Sequence, residues 1–317
     1  MKKSQPDSHA HAPETSGPLR RLLGDYHVTG VFWYRLHRYG MELLPEPGIW
    51  FIITFFTSFF FIALRRIRAA IAANLEAVLG PCGWWERQKR IYRTMWNLAW
   101  CLSERYEGLN ADLELQLAVE GEEIWNRVAN NPEGLIMVTA HIGHFEIGAR
   151  LPATAGQRRV HVIRESELDP KAQGFIRELM AQSAGDGFEV HFVDEADSTF
   201  GAQLLSLLRQ GDLLALQGDR PRTGGRTVQA RLFDRPFPMP VGPAALARAA
   251  EAQILPVFVF RNGRRKSRVV VRPPIRVART KDREDDLGTA IQKITSEVEW
   301  AIREAPYQWF CFRKVWD

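Results

Sequence analysis

In the C-terminal two thirds of the chain, short apolar runs alternate with stretches of helical spacing. The runs are four to seven residues long and rich in Val, Ile, Leu and Phe; they are "GLIMVTA", "RVHVIR", "FEVHFV", "DLLALQG", "ILPVFVF" and "SRVVVRP". Between or after them lie the predicted helices "KAQGFIRELMAQ", "TFGAQLLSLLRQ", "GPAALARAAEA" and residues 286–304. This alternation predicts an α/β domain with a largely buried, mixed central sheet flanked by helices.

A second pattern precedes this domain. Residues 47–64, "PGIWFIITFFTSFFFIAL", contain no charged side chain. At about 1.5 Å per residue such a helix barely crosses roughly 30 Å of hydrocarbon, so a short span, shallow insertion and a buried core helix are all open. Trp33 and Trp50 on one side and the "RRIR" segment on the other are typical of membrane-interface anchors. We therefore expect a membrane-associated helical segment.

The next residues, 69–108, show helical spacing on both sides of a Gly80–Pro81 break and predict two amphipathic helices. The polar stretch at the N-terminus lacks the apolar core of a signal peptide and predicts a disordered lead. The expected organisation is a lead at 1–24, a membrane-associated helical region at 25–110 and an α/β catalytic domain at 111–317.

Composition narrows the function only slightly. The net charge of +5 suits nucleic acid, a membrane surface or phosphorylated substrates about equally. Basic residues are dispersed, without a recognition helix or an RNA-stacking signature, so we expect no nucleic-acid partner. The three cysteines form no C-x-x-C pair, which favours a reducing compartment over a disulfide framework or a thiolate zinc site.

The candidate chemistry lies in "VTAHIGHFEIGAR", at the predicted carboxyl end of a strand, where α/β folds usually place their sites. A metal site would use His141, His144 and Glu146, but the spacing differs from H-E-x-x-H, so we expect no metal. Satisfied histidines in an ordinary turn are a second interpretation. In the third, His141 removes a proton from a substrate hydroxyl while Glu146 orients the imidazole.

These residues resemble the histidine/acid motif of the bacterial lipid A biosynthesis acyltransferases, within the wider lysophospholipid and glycerolipid acyltransferase group. The similarity continues in order through four further segments: "FWYRLHRYGMELLP" to "RRIRAAIAANLEAVLG", "LLALQGDRPRTGG", "VQARLFDRPFPMPVGPAALARAAEAQILPVFVFR" and "APYQWFCFRKVW". One departure is visible, because the family usually has asparagine where this chain has His144. We expect His144→Asn to be tolerated if His144 only lines the turn.

The resemblance implies a membrane-associated O-acyltransferase on the cytoplasmic face of the inner membrane, with no cofactor. The donor would be acyl carrier protein and the acceptor a hydroxyl of a lipid A-type glycolipid precursor. A lysophospholipid or other glycolipid acyltransferase using acyl-CoA is the alternative. His141 would be the general base and Glu146 its orienting acid.

Other residues are candidates for substrate binding. Arginine suits the acyl carbonyl or an acceptor phosphate, and Gly242 at a predicted helix start leaves backbone N–H groups free for an anion. Asp219 follows a strand and either pairs with Arg220 or binds the acceptor. The candidate set is Arg164, Arg177, Asp219, Arg220 and Gly242. A non-catalytic membrane scaffold is the competing class, and the intact H-x-x-x-x-E motif argues against it.

Overall fold

The computed structural model describes residues 44–107, 116–145, 158–165, 174, 188–193, 199–221 and 225–316. The predicted lead at 1–24 lies outside these residues, as does the predicted helix at 171–182 apart from Gly174.

A mixed sheet forms the centre of the α/β domain. Among the described residues its path is β1-β9-β8-β2-β5-β3-β4, and β10 pairs with β8 beside this path. The strands are β1 (Gln116–Glu120), β2 (Leu135–Thr139), β3 (Val160–Glu165), β4 (Phe188–Val193), β5 (Leu213–Gln217), β8 (Gln253–Arg261), β9 (Lys266–Val271) and β10 (Ile275–Arg276). The β8–β9 and β8–β10 pairs are antiparallel and the other pairs are parallel. The predicted mixed central sheet is confirmed.

Helices cover both faces of this sheet. They are α4 (Glu122–Ala129), α5 (Phe200–Arg209), α6 (Gly242–Ala250) and α7 (Arg283–Glu304). One face packs against α5, α6, α7 and a separate hairpin, β6 (Thr227–Leu232) and β7 (Arg235–Pro240). The other face packs against α4 through Val128. This two-sided burial explains the nearly continuous apolar runs in the central strands.

All six predicted strands and the described predicted helices are present. The last helix begins at Arg283, before the predicted 286, because the Asp282 side chain caps it by accepting hydrogen bonds from Glu284 and Asp285 N–H. The sequence interpretation missed β1, α4 and the β6–β7 hairpin. In β1 every residue is exposed and in β7 prolines interrupt the run, so neither shows the pattern of a buried strand.

Three helices precede the sheet: α1 (Glu46–Ala63), α2 (Arg65–Leu79) and α3 (Trp84–Glu107), with the predicted break between α2 and α3. Among the described residues, α1 alone is long and apolar enough to cross a membrane. Its inner face is buried at Ile49, Ile53 and Thr57. Its outer face and the start of α3 expose large apolar side chains: Phe51, Phe55, Phe59, Ile62, Trp84 and Trp85. Within the described residues, α1 is therefore not a buried core helix.

Polar contacts attach these helices to the α/β domain. The buried Asn74 of α2 donates to the carbonyls of Cys311 and Arg313 and accepts from Val315 N–H. Arg264, in the β8–β9 turn, lies 2.7 Å from Glu46 at the start of α1. The aromatic C-terminal segment is thus fixed against α2, and α1 is tied to the sheet.

Candidate active site

The turn that carries both histidines follows β2 and is held from two sides. Gly143 N–H donates to Gln308 O over 3.0 Å, and His144 N–H donates to Val259 O over 2.8 Å. Gly143 has φ of 54°, and a Cβ there would lie 2.3 Å from the Val259 carbonyl oxygen. Only glycine fits this close approach, so the backbone fixes where His141 and His144 lie.

His141 faces the carboxylate of Asp219, which follows β5. Because β2 and β5 are parallel neighbours, their carboxyl ends meet, and Gly218 N–H donates to Thr139 O over 2.8 Å. The His141 Nδ1 atom lies 2.7 Å from Asp219 Oδ1. A neutral His141 that donates Nδ1–H to this carboxylate keeps its lone pair on Nε2. Nε2 is therefore the basic atom of the pair.

Electrostatics keep Asp219 ionised. Burial alone would raise the pKa of its carboxyl, but the charges of His141 and Arg220 and the hydrogen bonds from His141 outweigh burial. The pKa of Asp219 is consequently held well below its usual range. An anionic Asp219 is placed to stabilise a positive charge on the His141 ring.

Arg220 is the cation beside this pair. Its guanidinium donates to Phe310 O over 2.9 Å and lies 3.6 Å from Asp219 Oδ2. Its Nε–H is buried and has no hydrogen-bond acceptor among the described residues. One donor of this guanidinium is thus unmatched by the described part of the protein.

His141 and Arg220 open onto a cleft of about 170 Å³ with mainly apolar walls. The turn contributes Gly143, His144 and Phe145. The remaining walls come from α3 and the C-terminal segment: Leu98, Cys101, Leu102, Phe310 and Phe312. The cleft therefore combines an apolar surface with one imidazole and one guanidinium.

His144 has a different environment, although it lies only three residues from His141. It is 3% exposed, with Nδ1 2.7 Å from Ser267 Oγ and Nε2 2.7 Å from Glu104 Oε2. Nδ1 shares a hydrogen bond with the Ser267 hydroxyl, whereas Nε2 makes a close ion-pair contact with the Glu104 carboxylate rather than an aligned hydrogen bond. His144 thus connects the turn to α3 and β9.

Glu104 is the centre of this buried group. It accepts hydrogen bonds from Arg261 Nε and from Arg265 N–H, each over 3.0 Å. Burial alone would raise the pKa of Glu104, but the close contact with His144 and the charge of Arg261 hold that pKa below its usual value. The sequence analysis missed Glu104 and Ser267, because nothing in an amphipathic helix or a strand marks partners so distant along the chain.

The other predicted site residues are distributed more widely. Asp219 and Arg220 both lie at the site. The Asp219 carboxylate is 2.7 Å from His141 but 3.6 Å from the Arg220 guanidinium. Arg164 lies in β3 near its carboxyl end, on the same sheet edge as His141. Gly242 begins α6 and is not among the residues that line the cleft. Glu146 and Arg177 lie outside the described residues.

The chain is similar to proteins of known family and structure. A family model described as bacterial lipid A biosynthesis acyltransferase matches residues 25–317, nearly the whole chain. A comparison with curated proteins found no match. Among solved structures, the 1-acyl-sn-glycerophosphate (LPA) acyltransferase PlsC from Thermotoga maritima is similar, with a TM-score of 0.36 and 14% identity. The alignment covers 80% of this chain and 95% of that chain.

Proposed function

The chain belongs to the family of bacterial lipid A biosynthesis acyltransferases, and we propose that it moves a fatty acyl group from acyl carrier protein to a hydroxyl of a lipid A-type glycolipid precursor. The observation that carries this proposal is the pairing of His141 with the buried Asp219 beside an apolar cleft. When an alcohol attacks a fatty thioester, a base must remove the hydroxyl proton and an apolar surface must bind the acyl chain, and this cleft offers both.

His141 is the general base in this reaction. Its Nε2 removes the proton of the acceptor hydroxyl as the oxygen attacks the thioester carbonyl. The tetrahedral intermediate then expels the donor thiolate, which takes the proton back from His141. The products are the ester and the free thiol, so protons and charge balance without a cofactor.

Arg220 stabilises the negative charge that develops on the carbonyl oxygen. The support is its position beside His141 in the cleft wall and its buried Nε–H, which has no acceptor among the described residues. Arg164, Arg177 and Gly242 remain in the proposal as residues that bind donor or acceptor anions.

Two carboxylates are candidates for orienting His141. Asp219 contacts Nδ1 directly and is assigned this role on that contact. Glu146, the acid of the H-x-x-x-x-E motif, stays in the proposal as a second carboxylate of the site. Single and double substitutions separate the two roles, because residues that act as one unit give non-additive losses.

The reaction is tested with purified full-length protein and defined substrates. Lauroyl groups are supplied on acyl carrier protein or on CoA, and the acceptor is a lipid A-type precursor or a lysophospholipid. Mass spectrometry of the lipid products is the readout. We expect transfer from the carrier protein to the glycolipid and none in His141→Ala. Transfer only from CoA to the lysophospholipid would replace this proposal with the alternative acyltransferase.

We also propose that α1 inserts into the membrane interface, with the α/β domain on the cytoplasmic face of the inner membrane. Its inner face packs against α3, whereas its outer aromatic face is exposed, and Arg65 and Arg66 follow at its end. This one-sided exposure suits a helix lying in the interface more than a helix surrounded by lipid.

Vesicle flotation tests this insertion. Phe51→Ser/Phe55→Ser should weaken binding to vesicles containing anionic phospholipid by about 100-fold, since two large apolar side chains leave the lipid at about 1.5 kcal/mol each. The matched control is Leu117→Ser/Val119→Ser, two exposed apolar residues of β1. Equal loss in both variants would contradict insertion through α1.

A further inference from the structure

A cluster of metal-ligating side chains lies on the two strands at the edge of the sheet, where β3 pairs with β4. His161 of β3 is directly opposite Glu189 of β4, and His191 is two residues further along β4. Residues two apart in a strand point to the same face, so all three side chains share one face of the sheet. None of them belongs to the cleft around His141.

The distances between their donor atoms match those of a metal site. His161 Nδ1 lies 2.9 Å from His191 Nε2 and 3.5 Å from Glu189 Oε2. His191 Nε2 lies 3.7 Å from the same glutamate oxygen. Donor atoms bound about 2.0–2.1 Å from a tetrahedral zinc ion are roughly 3.3 Å apart. The three atoms therefore already form one face of a tetrahedron of suitable size.

A further carboxylate fixes the orientation of His161. The Nε2 atom of this buried imidazole lies 3.1 Å from Oδ2 of the buried Asp212. Because Nε2–H donates to Asp212, the lone pair of His161 is on Nδ1, which faces His191 and Glu189. A carboxylate that orients a ligating histidine in this way is a recurrent feature of zinc sites.

We propose that His161 Nδ1, His191 Nε2 and Glu189 Oε2 bind one zinc ion. On binding, the proton between the two imidazoles moves from His191 Nε2 to His191 Nδ1, so both histidines ligate as neutral groups. The side chain of Glu189 is 64% exposed, so water supplies the fourth ligand. The ion joins β4, at the end of the sheet path, to β3, while His141 and Asp219 follow the carboxyl ends of β2 and β5. The zinc site is thus separate from the acyl-transfer site.

Zinc titration of the full-length protein, after removal of metal with a chelator, tests this site. A chromophoric zinc chelator serves as the competitor from which the dissociation constant is obtained. We expect His191→Gln to abolish site-specific binding, and Asp212→Asn to weaken it about 10- to 100-fold by releasing His161. Zinc should raise the melting temperature of the wild type and leave that of His191→Gln unchanged.

The matched control addresses the N-terminal "HAHA" segment, which also offers two histidines. His9→Gln/His11→Gln should retain zinc binding with wild-type affinity. Without zinc, His191→Gln and Asp212→Asn should each melt within a few degrees of the wild-type temperature. A His191→Gln protein that binds zinc as tightly as the wild type, or loss of binding in the His9→Gln/His11→Gln control, would overturn the proposal.

Cobalt gives a second readout. Co²⁺ in a four-coordinate site absorbs visible light far more strongly than octahedral Co²⁺. We expect this absorption in the wild type and in the His9→Gln/His11→Gln control, and its absence in His191→Gln. The weak spectrum of octahedral cobalt in the wild type would contradict the tetrahedral geometry.

Discussion

His141 and His144 lie in one short turn, yet their surroundings differ in every respect that matters for chemistry. His141 has a side chain that is 23% exposed, one ring nitrogen on a buried carboxylate and the other free of any described partner. His144 is buried, with one nitrogen near Ser267 and the other near Glu104. A base needs an available lone pair beside a substrate, so we expect His141 to be the reactive histidine and His144 a structural one.

The largest predicted effect is a loss of folding stability when Glu104, the acid beside His144, is removed. Glu104→Ala leaves Arg261 and His144 buried without their carboxylate, and breaking such a buried pair costs about 3–5 kcal/mol of stability. Chemical denaturation measures the loss. The matched control is Glu86→Ala on the same helix, where the exposed Glu86 carboxylate pairs with Arg90 over 3.5 Å and the pair contributes at most about 1 kcal/mol. Similar losses in both variants would show that the Glu104 group is not structural.

A somewhat smaller effect, on turnover, should follow from changing the acid beside His141. Asp219→Asn keeps the side-chain shape but removes the charge that stabilises the imidazolium, so kcat should fall about 100-fold. Steady-state kinetics checks this, and KM should change little because Asp219 is buried beneath the base. Unchanged kcat in Asp219→Asn together with a large loss in Glu146→Gln would move the orienting role to Glu146.

The smallest effect is a pH dependence of stability. The pKa of Asp219 is lower in the folded protein than in the unfolded chain, where it is about 3.9. Its charge therefore stabilises the fold above about pH 4, and this contribution is lost as pH falls towards the folded pKa. The difference in unfolding free energy between wild type and Asp219→Asn should shrink on acidification. A difference that grows with acidification would contradict a lowered pKa.

The sequence predicted the parts of this site that local patterns encode. The apolar run ending at Thr139 located the turn at a strand end, and the parallel arrangement brought Asp219 to the same edge as His141. Sequence alone left Asp219 open between pairing with Arg220 and binding the acceptor. It did not identify His141 as the partner, because that contact depends on where the turn backbone lies. That position depends on contacts of Gly143 and His144 with residues more than 100 positions away.

The role of His144 could not be predicted from local sequence patterns, because its partners also lie far away along the chain. Glu104 belongs to a helix whose spacing predicts only amphipathicity, and Ser267 belongs to a strand in which a small polar residue has no special signature. The zinc cluster was hidden as well, since "RVHVIR" and "FEVHFV" predict strands but not their adjacency in the sheet. Strand order is a property of the assembled fold, and it decides which histidines meet.

The most direct test compares acyl transfer by His141→Gln and His144→Asn, both purified in full length and corrected for the folded fraction. The account predicts that His141→Gln loses at least about 100-fold in turnover while its melting temperature stays near that of the wild type. His144→Asn should retain turnover within about 10-fold and lose about 1–3 kcal/mol of stability through its lost contacts. Full turnover in His141→Gln, or a greater loss in His144→Asn, would contradict the assignment of His141 as the base.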